Sequence, residues 1–79
     1  MITSGQIKAA RSLLGWTARD LASKSGIGFS TMIRLEASNG VPSSNVKTLD
    51  AIQRALEDSG IQFIGSPEDG PGVRLFTKE

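Results

Sequence analysis

The 79-residue sequence contains no cysteine and no histidine. That excludes a disulfide framework, removes thiolate and imidazole chemistry, and fits a reducing compartment. Catalysis would then need paired carboxylates or an activated serine or lysine, and no such pair is spaced against a predicted pocket. The glycines between residues 65 and 72 lack the Lys-Ser/Thr ending of a phosphate loop and do not lead from a strand into a helix. No enzyme activity, cofactor or metal is therefore expected. No apolar run approaches the roughly 18 residues of a membrane span, and the first residues lack a basic segment followed by an apolar one. Neither an anchor nor a signal peptide is expected, and the chain reads as cytoplasmic.

What is present suits one small domain. A chain of this length buries only about 60 to 65% of its unfolded surface, so it would gain from a partner subunit. Net charge is only +1, but it is unevenly spread. Residues 1–47 hold six bases (Lys8, Arg11, Arg19, Lys24, Arg34, Lys47) and two acids (Asp20, Glu36), a balance of +4. Residues 48–79 hold three bases (Arg54, Arg74, Lys78) and six acids (Asp50, Glu57, Asp58, Glu68, Asp69, Glu79), a balance of −3. This polarity supports one phosphate-facing end and one end turned away from it.

Apolar spacing predicts four helices. Thr3 or Ser4 can cap the first, with Gln6 three residues after Thr3, and Ile7, Ala10 and Leu14 form its apolar stripe up to Gly15. Thr17 can cap the second, with Asp20 as capping-box partner and Trp16 as a hydrophobic staple outside it. Leu21 and Ala22 face inward, Gly26 takes the left-handed position that ends the helix, and Ile27 plugs the turn. A third helix starts near Gly28 or Phe29 and turns Met32 and Leu35 inward. Residues 37–44 read as a loop. A fourth helix starts around Asn45, capped by Ser44 or nearby, with Val46, Leu49, Ile52 and Leu56 as its buried stripe. Asp50 and Arg54 are spaced to pair on its exposed side, and Gly60 stops it.

Beyond Gly60 the period changes. Residues 61–64 and 73–76 are strand-type runs flanking a Gly/Pro-rich segment, which predicts a β-hairpin with a long turn over residues 65–72. A lone hairpin is marginal in water, so Ile61, Phe63, Ile64, Val73, Leu75 and Phe76 need a partner surface. Three uses compete: a dimerisation sheet, which is preferred; a flap over the helical core; and a DNA-touching wing using Arg74 and Lys78. The acidic tip at Glu68 and Asp69 counts against the wing.

Two short helices joined by a glycine-containing turn, the second exposing hydroxyls and an arginine, suit an element that lies in a DNA groove. Leu21, Ala22, Lys24, Gly26, Ile27, Ser30, Thr31, Arg34, Leu35 and Glu36, with Arg11, Leu14 and Gly15 before them, resemble the core signature of the Cro and phage-repressor type (XRE-like) of helix-turn-helix transcriptional regulators. The match covers residues 4–58. The resemblance implies an all-α, lambda-repressor-like helix-turn-helix domain over residues 1–60, here followed by a β-strand appendage over 61–79 as a dimerisation element. It also implies an ion pair between Arg11 and Glu36; the plain alternative is that Arg11 is a solvated charge or a phosphate contact.

By position, the base-reading set is Phe29, Ser30, Ile33 and Arg34. Arg34 can donate its fork to guanine or hold a phosphate. Phe29 stands where the family often has a polar residue; it either packs on thymine methyls or folds back beside Ile27. Ala18 replaces the glutamine that often contacts phosphate in this family. Thr17, Arg19, Lys24, Thr31 and the amides at the helix starts are candidates to compensate. The resemblance also implies that the loop runs beside a phosphate strand, with Ser43 or Ser44 as candidate contacts; the plain alternative is a solvated connector. The expected function is sequence-specific binding of double-stranded operator DNA, as a homodimeric repressor from a prokaryote or phage. The alternative is a protein-interaction module, such as an antitoxin-like component, whose tail binds a partner protein.

Overall fold

The computed structural model describes residues 2–76, so Lys78, one of the bases assigned to the wing, lies outside the described residues. The order of elements is α1 (Ser4–Leu14), α2 (Ala18–Ser25), α3 (Phe29–Glu36), α4 (Val46–Asp58), β1 (Ile61–Ser66) and β2 (Asp69–Leu75).

Each helix start follows from its capping residue. At α1, the Gln6 amide donates to Thr3 Oγ1 at 3.0 Å and the Thr3 amide donates to Gln6 Oε1 at 2.8 Å, a complete capping box. Gly15 ends α1 with φ 71°, where a side chain would be strained. The cap of α4 is Asn45, one residue beyond the expected Ser44; its Oδ1 accepts from the Thr48 amide at 2.8 Å. That shift alters one assignment in the stripe: Val46 is the first helical residue and is 64% exposed, while Leu49, Ile52 and Leu56 are buried as expected. Asp50 and Arg54 do not pair; among the described residues the one ion pair is Arg11–Glu36. On α4 the four-residue step is used instead by Gln53, whose Nε2 donates to Glu57 at 3.1 Å.

Ile7, Leu21, Met32, Leu35, Ile52 and Leu56 form the dry centre, so every helix contributes to one core. The hairpin contributes too. Ile61 is 4% exposed and belongs to that core, while Phe63, Val73 and Leu75 pack against it. Gln6 uses both hydrogens of its side-chain amide on the hairpin, donating to the carbonyls of Ile64 (3.2 Å) and Gly72 (2.9 Å). With 53% of the described residues helical and 17% in an antiparallel sheet, the domain is α+β. The expectation of an all-α, lambda-repressor-like domain is thereby corrected: the four helices and the hairpin are present, but they form a compact α+β domain. The physical reason is that a two-stranded ribbon cannot hold itself together in water, and α1 offers it both an apolar surface and a hydrogen-bonding side chain.

The turn is shorter than expected. The strands pair from Ile61↔Leu75 through Ile64↔Gly72 and again at Ser66↔Asp69, leaving only Pro67 and Glu68 at the tip. The register shifts between Ile64 and Ser66, with Gly65 opposite both Gly70 and Pro71. Gly65 has φ 74°, and a Cβ there would run into the Gly70 carbonyl oxygen. Glycine thus lets the ribbon continue through a segment whose composition suggested a loop.

Candidate nucleic-acid interface

The α2–α3 unit is built by its turn. Gly26 has φ 73°, its amide donates to the carbonyls of Ala22 and Ser23, and the Ile27 amide donates to the Ala22 carbonyl at 3.0 Å. Ile27 packs against the core, and Gly28 opens α3 without any side-chain cap. The first amides of α3 are therefore left without side-chain partners, the condition under which a helix start attracts an anion.

Helix α3 divides cleanly. Met32 and Leu35 are fully buried and Glu36 is 8% exposed, whereas Phe29 (37%) and Ile33 (46%) face solvent. Ser30 and Arg34 are exposed beside them, and Thr31 is half-buried. On this side only the Phe29 ring is given a partner from another element, the Arg19 side chain of α2, among the described residues. The four residues expected to read bases thus share one open surface, with Thr31 at its edge.

The inner side is held by charge as well as apolar packing. Arg11 Nε and its outer nitrogen donate to the two carboxylate oxygens of Glu36 at 2.9 and 2.8 Å. The remaining guanidinium nitrogen donates to the Trp16 carbonyl at 3.0 Å. One planar fork therefore ties the last turn of α1 to the end of α3 and to the residue preceding the α2 cap. Arg11 is accordingly neither a free solvated charge nor available to phosphate.

The candidate phosphate contacts lie around this face in different states. Arg19 and Lys24 are exposed and form no ion pair among the described residues. The Arg19 guanidinium stacks over the Phe29 ring, 4.0 Å from its centroid, and the Lys24 ammonium sits 5.2 Å from the Trp16 ring centroid. Phe29 thus neither stands as an isolated apolar edge nor simply folds onto the turn. Thr17 has its hydroxyl occupied as a cap, accepting from the Asp20 amide at 3.1 Å, while its own amide donates to Asp20 Oδ2 at 2.9 Å. The hydrogen bonds from the Thr17 backbone and side chain hold the Asp20 carboxyl below its ordinary range, with Lys24 adding a smaller effect. At the start of α2 the Asp20 amide is taken by the Thr17 hydroxyl and the Asp20 carboxylate lies beside the remaining amides, which weakens the capacity of this helix start to attract an anion. The start of α3 keeps that capacity.

The loop over residues 37–44 is no loose connector. The Ser4 amide donates to the Gly40 carbonyl at 2.9 Å, the Ser4 hydroxyl donates to the Ser38 carbonyl, and Pro42 is buried. Ser43 is exposed and Ser44 half-buried.

The six residues assigned to dimerisation separate. Ile61 completes this chain's own core and is unavailable to a partner; Phe63, Val73 and Leu75 turn toward the same core. Ile64 (38% exposed) and Phe76 (57%) face outward. The inner face of the hairpin behaves as the flap. Its acidic tip is exposed, and Arg74 is engaged within the ribbon, donating to Gln62 at 3.1 Å and lying 5.4 Å from the Phe76 ring centroid.

Two features escaped the sequence reading. The Arg19–Phe29 stack joins residues ten apart through a turn whose angle no local pattern reports. The clamp from Gln6 to the hairpin was hidden because that residue already had a sufficient local reason to be there, the capping box.

No protein-family model matches this sequence, and comparison with curated proteins finds no match either. Among the described residues no helix is long and apolar enough to cross a membrane, and no three carboxylates are grouped to hold a metal ion.

Proposed function

We propose that the chain binds double-stranded DNA in a sequence-specific way through α3, acting as a transcriptional regulator and most simply as a homodimeric repressor. The observation that carries this reading is the division of α3. Its inner side is fixed by Met32, Leu35 and the Arg11–Glu36 pair, while Phe29, Ser30, Ile33 and Arg34 stay open on the outer side. A helix entering a major groove needs that combination of rigid backing and exposed polar tips near its first turns. Uncapped amides at the α3 start and the exposed bases Arg19, Lys24 and Arg34 supply positive potential around it. In a two-fold dimer the recognition helices would lie about 34 to 36 Å apart, on successive major-groove faces of a palindromic operator.

Selection of bound duplexes from a random pool tests this directly. A defined motif is expected, with affinity falling steeply as salt rises, and Arg34→Ala should relax one position or weaken all sequences evenly according to whether it meets a base or a phosphate. Recovery of no motif, with affinity indifferent to salt, would refute it.

A second reading, a protein-interaction module of antitoxin-like kind, draws on the exposure of Ile64 and Phe76 on the outer hairpin face. Purification with partners retained separates the two. A stoichiometric protein lost on Ile64→Ser/Phe76→Ser substitution favours the module; a self-associating chain alone favours the regulator.

A further inference from the structure

We propose that Arg19 reads a guanine, and that Phe29 is the positioning residue that holds it there. The inference rests on the DNA-binding reading above and assigns one base contact within it.

Arg19 is the second residue of α2 and Phe29 the first of α3, so their side chains meet across the mouth of the turn. The guanidinium lies 4.0 Å from the ring centroid, close enough for a cation–π stack. Among the described residues no carboxylate pairs with Arg19; the neighbouring Asp20 is committed to the Thr17 cap, and the one ion pair is elsewhere. A long arginine on an open surface ordinarily samples many rotamers, and ordering it opposes any contact it makes. Stacking removes much of that freedom before binding. It does so without using any N–H donor in a conventional hydrogen bond, so the donors remain for a ligand.

An edge of paired donors beside the first residue of α3 matches the O6 and N7 acceptors of guanine, which lie in one plane in the major groove. A phosphate also accepts two hydrogen bonds, but the partner ring decides between them. Phe29 is 37% exposed, and next to a phosphate strand it would remain wet. Seated in the groove it loses water against base edges while the guanidinium keeps its hydrogen bonds. The apolar residue that looked out of place on a DNA-facing helix is thus the support for a polar one.

The test compares wild type, Arg19→Lys, Phe29→Leu and Phe29→Trp by selection from the same pool, followed by affinity measurements on the preferred duplex and its single-position variants. Lysine retains the charge without the planar fork, leucine retains apolar bulk without the ring, and tryptophan restores a ring. The expected result is one guanine position at which Arg19→Lys lowers discrimination about 5- to 150-fold. Phe29→Leu should lower it about two- to fivefold at that same position, and Phe29→Trp should recover it. Uniform loss of affinity over all sequences in Arg19→Lys, or effects of the two residues at different positions, would overturn the assignment. A wild-type pool yielding no motif would remove the regulator reading and this assignment with it. Proton NMR of the free protein distinguishes failure of the stack from failure of that reading. The Arg19 side-chain protons should be shifted upfield by the ring and return to ordinary values in Phe29→Leu; if they are unshifted in wild type, the stack is rejected whether or not DNA is bound.

Discussion

Separating Arg11 from Glu36 should cost more than any exposed ion pair, and the two single substitutions should not be equivalent. The Glu36 side chain is 9% exposed and that of Arg11 is 23%. Arg11→Ala strands a nearly buried carboxylate at the end of α3, where the helix dipole already disfavours negative charge, and leaves the Trp16 carbonyl without its donor. A loss of about 3 to 5 kcal/mol is expected. Glu36→Ala leaves a guanidinium that still donates to Trp16 and reaches water through its more exposed edge, so about 2 to 3 kcal/mol is expected. The double variant leaves no uncompensated charge and should cost no more than Arg11→Ala alone, giving a coupling of at least about 2 to 3 kcal/mol.

These are large amounts for such a domain, whose total stability at typical per-residue values is about 4 to 12 kcal/mol. Each kcal/mol should lower Tm by about 4 to 8 °C. Thermal and urea unfolding followed by circular dichroism, in a stabilising salt such as sulfate if needed, gives all four corners of the cycle. Additivity within about 0.5 kcal/mol would refute the reasoning, since it would mean that the fork contributes only as two independent side chains. Arg11→Lys is a useful fifth corner: a point charge cannot hold both carboxylate oxygens and the Trp16 carbonyl together, so most of the loss should persist.

Gln6→Glu should separate the capping role of residue 6 from its clamp on the hairpin. The carboxylate still accepts from the Thr3 amide but cannot donate to the Ile64 and Gly72 carbonyls, so hydrogen exchange should quicken in the strands while α1 stays protected; equal protection throughout would reject the clamp. Gln6→Ala removes both roles, at about 2 to 4 kcal/mol in unfolding experiments. Asp20 supplies a pH dependence of known sign: its folded carboxyl is held below the ordinary 3.8, so its stabilising effect is present above that value and is lost as pH falls through the folded pKa. The Tm advantage of wild type over Asp20→Asn should therefore shrink on acidification below about pH 4, and an advantage that grows in acid would contradict the cap geometry.

The helices were legible because each signal was local. Thr3 with Gln6, Thr17 with Asp20, and Gly15 and Gly26 in left-handed positions act within one turn of chain, and sequence neighbours supply every partner they need. The tail was less legible because its signals conflict locally. Glycines and prolines between residues 65 and 72 suggest a loop, and only the cross-strand packing of Gly65 against Gly70 explains why the ribbon continues through them. Where the ribbon's apolar face goes is decided by α1, some 60 residues earlier in the chain, through Gln6 and the core around Ile61. The candidate interface divides in the same way. Spacing along α3 indicated which residues face outward, but not that Arg19 would reach across the turn to Phe29, because that contact depends on the angle between two helices.

Two kinds of restraint therefore act on α3, and their placement explains why its outer side can remain available. Apolar burial of Met32 and Leu35 is tolerant of small rotations about the helix axis, whereas the Arg11 fork is directional and engages both oxygens of Glu36. Together they set depth and rotation from the inside and near the end of the helix. Its opening turn carries no cap of its own and is held by the turn at Ile27 and by the Arg19–Phe29 stack. A helix fastened firmly at its end and lightly at its start can adjust its first residues to a ligand without losing its seat on the core. On the DNA-binding reading proposed above, loosening the end should blur which duplex is preferred, whereas loosening the start should change the preference at particular positions. Selected motifs from Glu36→Gln and Phe29→Leu, compared with wild type, separate these outcomes, and identical changes in both would contradict the division of labour.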